Sequence, residues 1–205
     1  TGTFSWTSGT IIGKLERWIA TAALPVLFPI GTALHHSPAS IQFTALIPGS
    51  LIVEFKPSDP TKNGLPLTEN GVTLNNTFRD GYWSITAANG LSSGDFNLDL
   101  TGNGFTGFTI NDNTRLLTRA SSLNPWSLNG THLVRTGNTI KRTNQSILPG
   151  EYGFGDDTNC TAPITSIITG NVDVCKNTGG EVYSVTNQPP NTYAWTISGG
   201  TLVAG

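Results

Sequence analysis

A few groupings in this chain of 205 residues carry atoms suited to chemistry. His35-His36 could hold a metal ion or exchange protons. Neighbouring residues on an extended segment point to opposite faces, so the two imidazoles would diverge, and no Asp or Glu flanks them. A Ser-His-Asp set could draw on His36 or His132, but in a chain this rich in Ser such an assembly is expected by chance. Paired carboxylates would suit glycoside hydrolysis. The candidates Glu16, Glu54, Glu69, Asp80, Asp95 and Asp99 are scattered, beside turns or on polar strand faces. Asp156-Asp157-Thr158-Asn159 groups hard oxygen ligands at a compositional junction, where Ca²⁺ could stiffen a linker. A solvated polar linker is the simpler reading, and the sequence calls for no cofactor beyond that calcium option. Asn111-Asp112-Asn113 reads as a tight turn. Cys160 and Cys175 are compatible with a disulfide or with two buried thiols. The disulfide is the expectation, closing a loop of about 15 residues. The expected catalytic set is therefore empty, and the chain is expected not to be an enzyme.

The elements that would position these residues are strands. The stretch from Arg79 to Phe108 dominates the pattern. Trp83, Ile85 and Ala87 alternate with Tyr82, Ser84 and Thr86, and Phe96, Leu98 and Leu100 alternate with Asn97 and Asp99. Side chains alternate across a strand, and Asn89-Gly90 and Gly94 supply a turn between the two runs. A central hairpin anchored by Trp83 is expected. Lys14–Ile19 reads as a strand with Leu15, Arg17 and Ile19 on one face. Ile41 and Phe43 should point inward. Residues 56–71 carry Pro57, Pro60 and Pro66 and read as a long loop, a candidate binding or contact loop. Arg115–Arg119, residues 131–135 and residues 138–146 read as further strands. Residues 156–163 look like a linker, and a second strand pattern occupies 164–205.

Composition narrows the function classes. Hydrophobic residues make up 37%, charged residues only 12%, and there are 24 glycines. That is less charge than an ordinary cytoplasmic enzyme carries, and it suits a turn-rich extracellular β protein. A net charge of −2 gives no basic excess for nucleic acid. No apolar run is long enough for a membrane span. Residues 19–30 are apolar but interrupted by Pro25 and Pro29. The absence of Met suggests a piece of a longer protein.

Two resemblances follow from particular residues. Residues 172–185, with Cys175 and Tyr183-Ser184-Val185, followed by Tyr193-Ala194-Trp195, resemble the first half of a PKD-like, immunoglobulin-like domain. Residues Gly13-Lys14-Leu15-Glu16-Arg17, Phe28-Pro29-Ile30-Gly31, Pro38, Gly81-Tyr82-Trp83-Ser84-Ile85, Gly94 and Gly155 are similar to a β-sandwich region that precedes such modules in large secreted surface proteins of Bacteroidota. The resemblance implies an all-β chain. An antiparallel β-sandwich would span 1–155 and a partial immunoglobulin-like sandwich 164–205. It also implies a non-enzymatic structural or adhesive role at the cell surface. The partners would be other modules of the same protein, copies of itself, or surface glycans. Aromatics such as Tyr82 and Tyr193 could stack on sugars, and cross-strand packing is their simpler reading. One alternative is a carbohydrate-binding or carbohydrate-active accessory domain. Another is a filament subunit built by β-strand addition. In that case Thr3, Phe4 and Trp6 of one copy would pair with the edge formed by Tyr193, Trp195 and Ile197 of the next.

Overall fold

The computed structural model describes residues 4–158, 168–170 and 179–186. The chain divides into two compact units, 1–159 and 160–205. Thr3, Asn159, Cys160, Cys175, Tyr193, Trp195 and Ile197 lie outside the described residues, and so do the expected disulfide and assembly edge. Within the second unit, Thr169 and Ser184 exchange backbone hydrogen bonds of 2.8 and 2.9 Å.

The described regular structure is all strand. The first unit is a sandwich of two antiparallel sheets. Sheet one runs Lys14–Ile19, Gly49–Lys56, Tyr82–Ala88, Gly150–Asp156, Arg115–Arg119. Asn76–Thr77 continues along the edge of Gly150–Asp156 beyond Tyr82–Ala88. Sheet two runs Val26–Phe28, Ala39–Phe43, Phe96–Thr101, Thr139–Gln145, Thr131–Thr136.

The period-two pattern sets which side chains meet. Val53, Phe55, Trp83, Ile85, Tyr152 and Phe154 of sheet one are buried with Ile41, Phe43, Phe96, Leu98, Leu100 and Ile140 of sheet two. Trp83 sits 5.0 Å from Phe154 and meets Phe55 edge-on at 5.1 Å. Its indole N–H donates to the Ser37 carbonyl at 2.9 Å, so its one polar atom is satisfied in the core. Burying each of these large apolar side chains contributes about 1.5–3 kcal/mol.

The expected central hairpin is corrected. Tyr82–Ala88 pairs with Gly49–Lys56 in sheet one, whereas Phe96–Thr101 pairs with Ala39–Phe43 in sheet two. Between these pairings, Ser92–Ser93 pairs with Leu46–Ile47. Segments 39–56 and 82–101 therefore form one long two-stranded ribbon that folds over itself and supplies two strands to each sheet. Folding it lays the Trp83 face against the Phe96 face, so both apolar faces are buried at once. The bend is tight at Gly49, where a Cβ would stand 2.2 Å from the Leu91 nitrogen.

The 56–71 loop is corrected as well. It ends in a small hairpin, Leu67–Glu69 with Val72–Leu74, turned by Asn70 and Gly71 at φ 50° and 79°. The segment lies over the outer face of sheet one, where Leu74, Leu117 and Trp126 form a second apolar cluster. The Trp126 indole donates to the Thr61 carbonyl at 2.8 Å. The loop is thus held down as a cover.

Candidate functional site

The densest chemistry among the described residues is a charged cluster along one side of the sandwich. Arg115 stands on the outermost strand of sheet one. Arg142 stands on Thr139–Gln145 of sheet two, at an inward position in register with Leu98. Its side chain is fully buried. Glu69 reaches both from the covering hairpin. Its carboxylate accepts from two Arg142 nitrogens, Nη1 at 3.2 Å and Nη2, and lies 3.4 Å from Arg115 Nε.

The remaining donors meet carbonyls. Arg142 donates to Asn129 O at 2.7 Å and Leu116 O at 3.1 Å, and Arg115 Nη1 donates to Asp112 O at 2.7 Å. The Leu116 carbonyl lies on the free edge of Arg115–Arg119, where Thr118 and Ser127 also exchange backbone bonds of 2.9 and 3.0 Å. Arg142 and Ser127 together close an edge that would otherwise be open to another strand.

His132 opposes Arg142 in register on the next strand. Burial, and then the charges of Arg115 and Arg142, push its pKa down to about 4, so it is neutral at pH 7. Its Nδ1 is buried and makes no hydrogen bond. Burial also lowers the Arg142 guanidinium from its ordinary value and Arg115 adds to that, while Glu69 opposes it. A bidentate carboxylate with carbonyls on the other nitrogens is a structural arrangement. It clasps the covering hairpin to both sheets. Sequence reasoning left Glu69 among scattered acids and did not single out Arg142. The available signal was a charge at an inward strand position, two residues after Ile140.

Glu16 and Glu54 share one face as diagonal neighbours across Lys14–Ile19 and Gly49–Lys56, but the histidines, Asp80 and Asp95 do not converge. His36 Nδ1 is 3.2 Å from Thr10 Oγ1, and its ring stacks on Trp6 at 5.3 Å. His35 packs under Gly104, where a Cβ would be 2.2 Å from the imidazole. Asp80 accepts from Thr106 N at 2.7 Å, Thr106 Oγ1 at 3.1 Å and Gly107 N at 3.2 Å, tying a loop. Asp95 lies beyond the other end of Tyr82–Ala88, roughly 20 Å away at about 3.3 Å per residue. That is too far for the 5–10 Å (about) that glycosidase carboxylates need. Gly90-Leu91-Ser92-Ser93-Gly94 has nucleophile-elbow spacing. An elbow needs a strand-to-helix turn, and this segment is the ribbon's corner, where Ser92 pairs with Ile47.

At the junction, the Asp156 carboxylate accepts from Thr158 N at 2.8 Å and that of Asp157 from Asn113 Nδ2 at 2.7 Å. Asn75 and Asn76 donate to the Asp157 and Thr158 carbonyls at 3.3 and 2.6 Å. Among the described residues no group of three His, Cys, Asp or Glu side chains gathers as metal ligands. Asn111 Oδ1 accepts from Asn113 N at 2.8 Å, the tight turn expected there. Tyr82 lies beneath cations, with Lys56 Nζ 5.6 Å and the Arg119 guanidinium 6.0 Å from its ring.

At the N-terminus, Phe4 carries the Arg17 guanidinium 4.2 Å from its ring. Ile11–Ile12 pairs in parallel with Ile30–Gly31 of the same chain. Donation of this segment to another copy would have to break these contacts.

No protein-family model, curated protein or solved structure matches the chain.

Proposed function

We propose that this chain is a non-enzymatic structural or adhesive module of a large extracellular or bacterial cell-surface protein. The observation that carries this reading is how the charged side chains in and around the sandwich are used. Glu69 clasps Arg142 and Arg115, Glu151 holds Arg119 at 2.7 Å, and Asp80 ties its neighbouring loop. These groups hold the fold together. Low charge and a hydroxyl-rich composition support an extracellular setting, and a Cys160–Cys175 disulfide would suit it. A thiol titration of the unfolded, unreduced protein should find no free thiol.

The carbohydrate-active alternative has a direct test. The protein, with Asp80→Asn and Asp95→Asn variants, is incubated with a panel of polysaccharides while reducing ends are counted. No turnover is expected. Turnover abolished by either substitution, in a variant that keeps its β-sheet circular dichroism, would overturn the non-enzymatic reading.

A further inference from the structure

A shallow, open depression of about 230 Å³ lies beside the covering loop, lined by Asp59, Thr61, Lys62, Asn76, Thr77 and Arg79. Its floor is rigid, because Asn76 and Thr77 are buried on the strand that extends sheet one. Its wall is pinned. Thr61 has φ 62°, a left-handed conformation that a β-branched residue rarely adopts. Three hydrogen bonds hold it there: its N–H donates to Asp59 Oδ1 at 2.7 Å, and its carbonyl accepts from Trp126 Nε1 at 2.8 Å and Thr77 Oγ1 at 3.3 Å. Backbone strain of this kind clusters at active sites, ligand clamps and switch regions. Nothing in the Glu69 clasp accounts for it.

The lining selects a ligand class. Arg79 Nε lies 3.6 Å from Asp59 Oδ2, and Lys62 has no ion-pair partner among the described residues. The rim therefore carries two cations against one carboxylate. An anionic group would sit at Lys62 and Arg79. Asp59 would repel a bare anion but accept hydrogen bonds from hydroxyls, and Thr61 and Thr77 add hydroxyl groups of their own. A molecule that carries both a carboxylate and several hydroxyls meets all of these demands. We propose that this depression binds an acidic sugar residue, such as a hexuronate unit of a polysaccharide. This deepens the adhesive reading above and rests on it for the setting. The non-enzymatic reading is tested separately by turnover and survives a failure here.

The test is a titration of the full chain with oligogalacturonate, followed by backbone amide NMR and calorimetry. A neutral oligosaccharide of equal length and sodium sulfate serve as comparisons. Shifts are expected at Thr61, Lys62 and Thr77, with affinity falling as salt rises. Lys62→Ala and Arg79→Ala, both exposed positions, should each weaken binding about tenfold while leaving the thermal unfolding midpoint in place. Four results would overturn the proposal: no binding, shifts confined to other surfaces, equal affinity for the neutral oligosaccharide, or the same shifts from sulfate, which would mean an adventitious ion only.

Discussion

Asp59 and Glu69 lie on the same covering segment, and each carboxylate faces arginine, yet their surroundings differ. The Glu69 side chain is 16% exposed against an Arg142 that is fully buried, whereas the Asp59 and Arg79 side chains are 50% and 72% exposed. In the clasp, all three charged groups have lost most of their water, so each depends on the others. At the rim of the depression water already solvates both charges, and pairing them adds little. One pair therefore holds the fold, and the other keeps most of its water.

The sharpest way to break this contrast is Glu69→Ala. It leaves two guanidinium groups buried without a counter-charge, and stability should fall by about 3–5 kcal/mol, read from urea unfolding. A loss below about 1 kcal/mol would mean that water reaches the clasp and that the two regions are alike.

Acid should loosen the same region. His132 faces Arg115 and Arg142. Its pKa is about 4 when folded and about 6.5 when unfolded. The unfolded chain thus binds more protons between those values, so stability is full above pH 6.5 and declines as pH falls toward 4. The side chain is partly solvated, so the slope should be shallow. His132→Gln should flatten the urea midpoint between pH 6.5 and pH 5 relative to the parent. An unchanged profile would remove His132 from the account.

The smallest effect is expected at the rim. Asp59→Ser keeps an oxygen for the Thr61 N–H, and breaking the ion pair should cost at most about 1 kcal/mol. A double-mutant cycle with Arg79→Ala isolates the coupling. A larger coupling would make the rim a second clasp and would weaken its assignment as a binding surface.

Much of the fold was legible in the pattern of residues. Lys14–Ile19 is a strand with Leu15, Arg17 and Ile19 inward, and Trp18 outward at 54% exposure. Ile41, Phe43, Trp83 and Phe96 all enter the core. The candidate sites were less legible. Asp80, Asp95, His35 and His36 were visible as residue types, but their separation and their hydrogen-bond partners depend on contacts distant in sequence.

Strand identity and the inward face follow from alternation, a property of neighbours along the chain. The sequence alone therefore determined an all-β chain and the inward faces of several of its strands. Pairing is different. Asn89-Gly90 is a sound local turn signal, yet only the folded ribbon decides that the strands around it enter opposite sheets, because both apolar faces are buried best that way. Tertiary structure alone also decided that Glu69 would meet Arg142, which is 73 residues away. A charge tolerates burial only where another element brings its partner, and alternation along a strand carries no record of that partner.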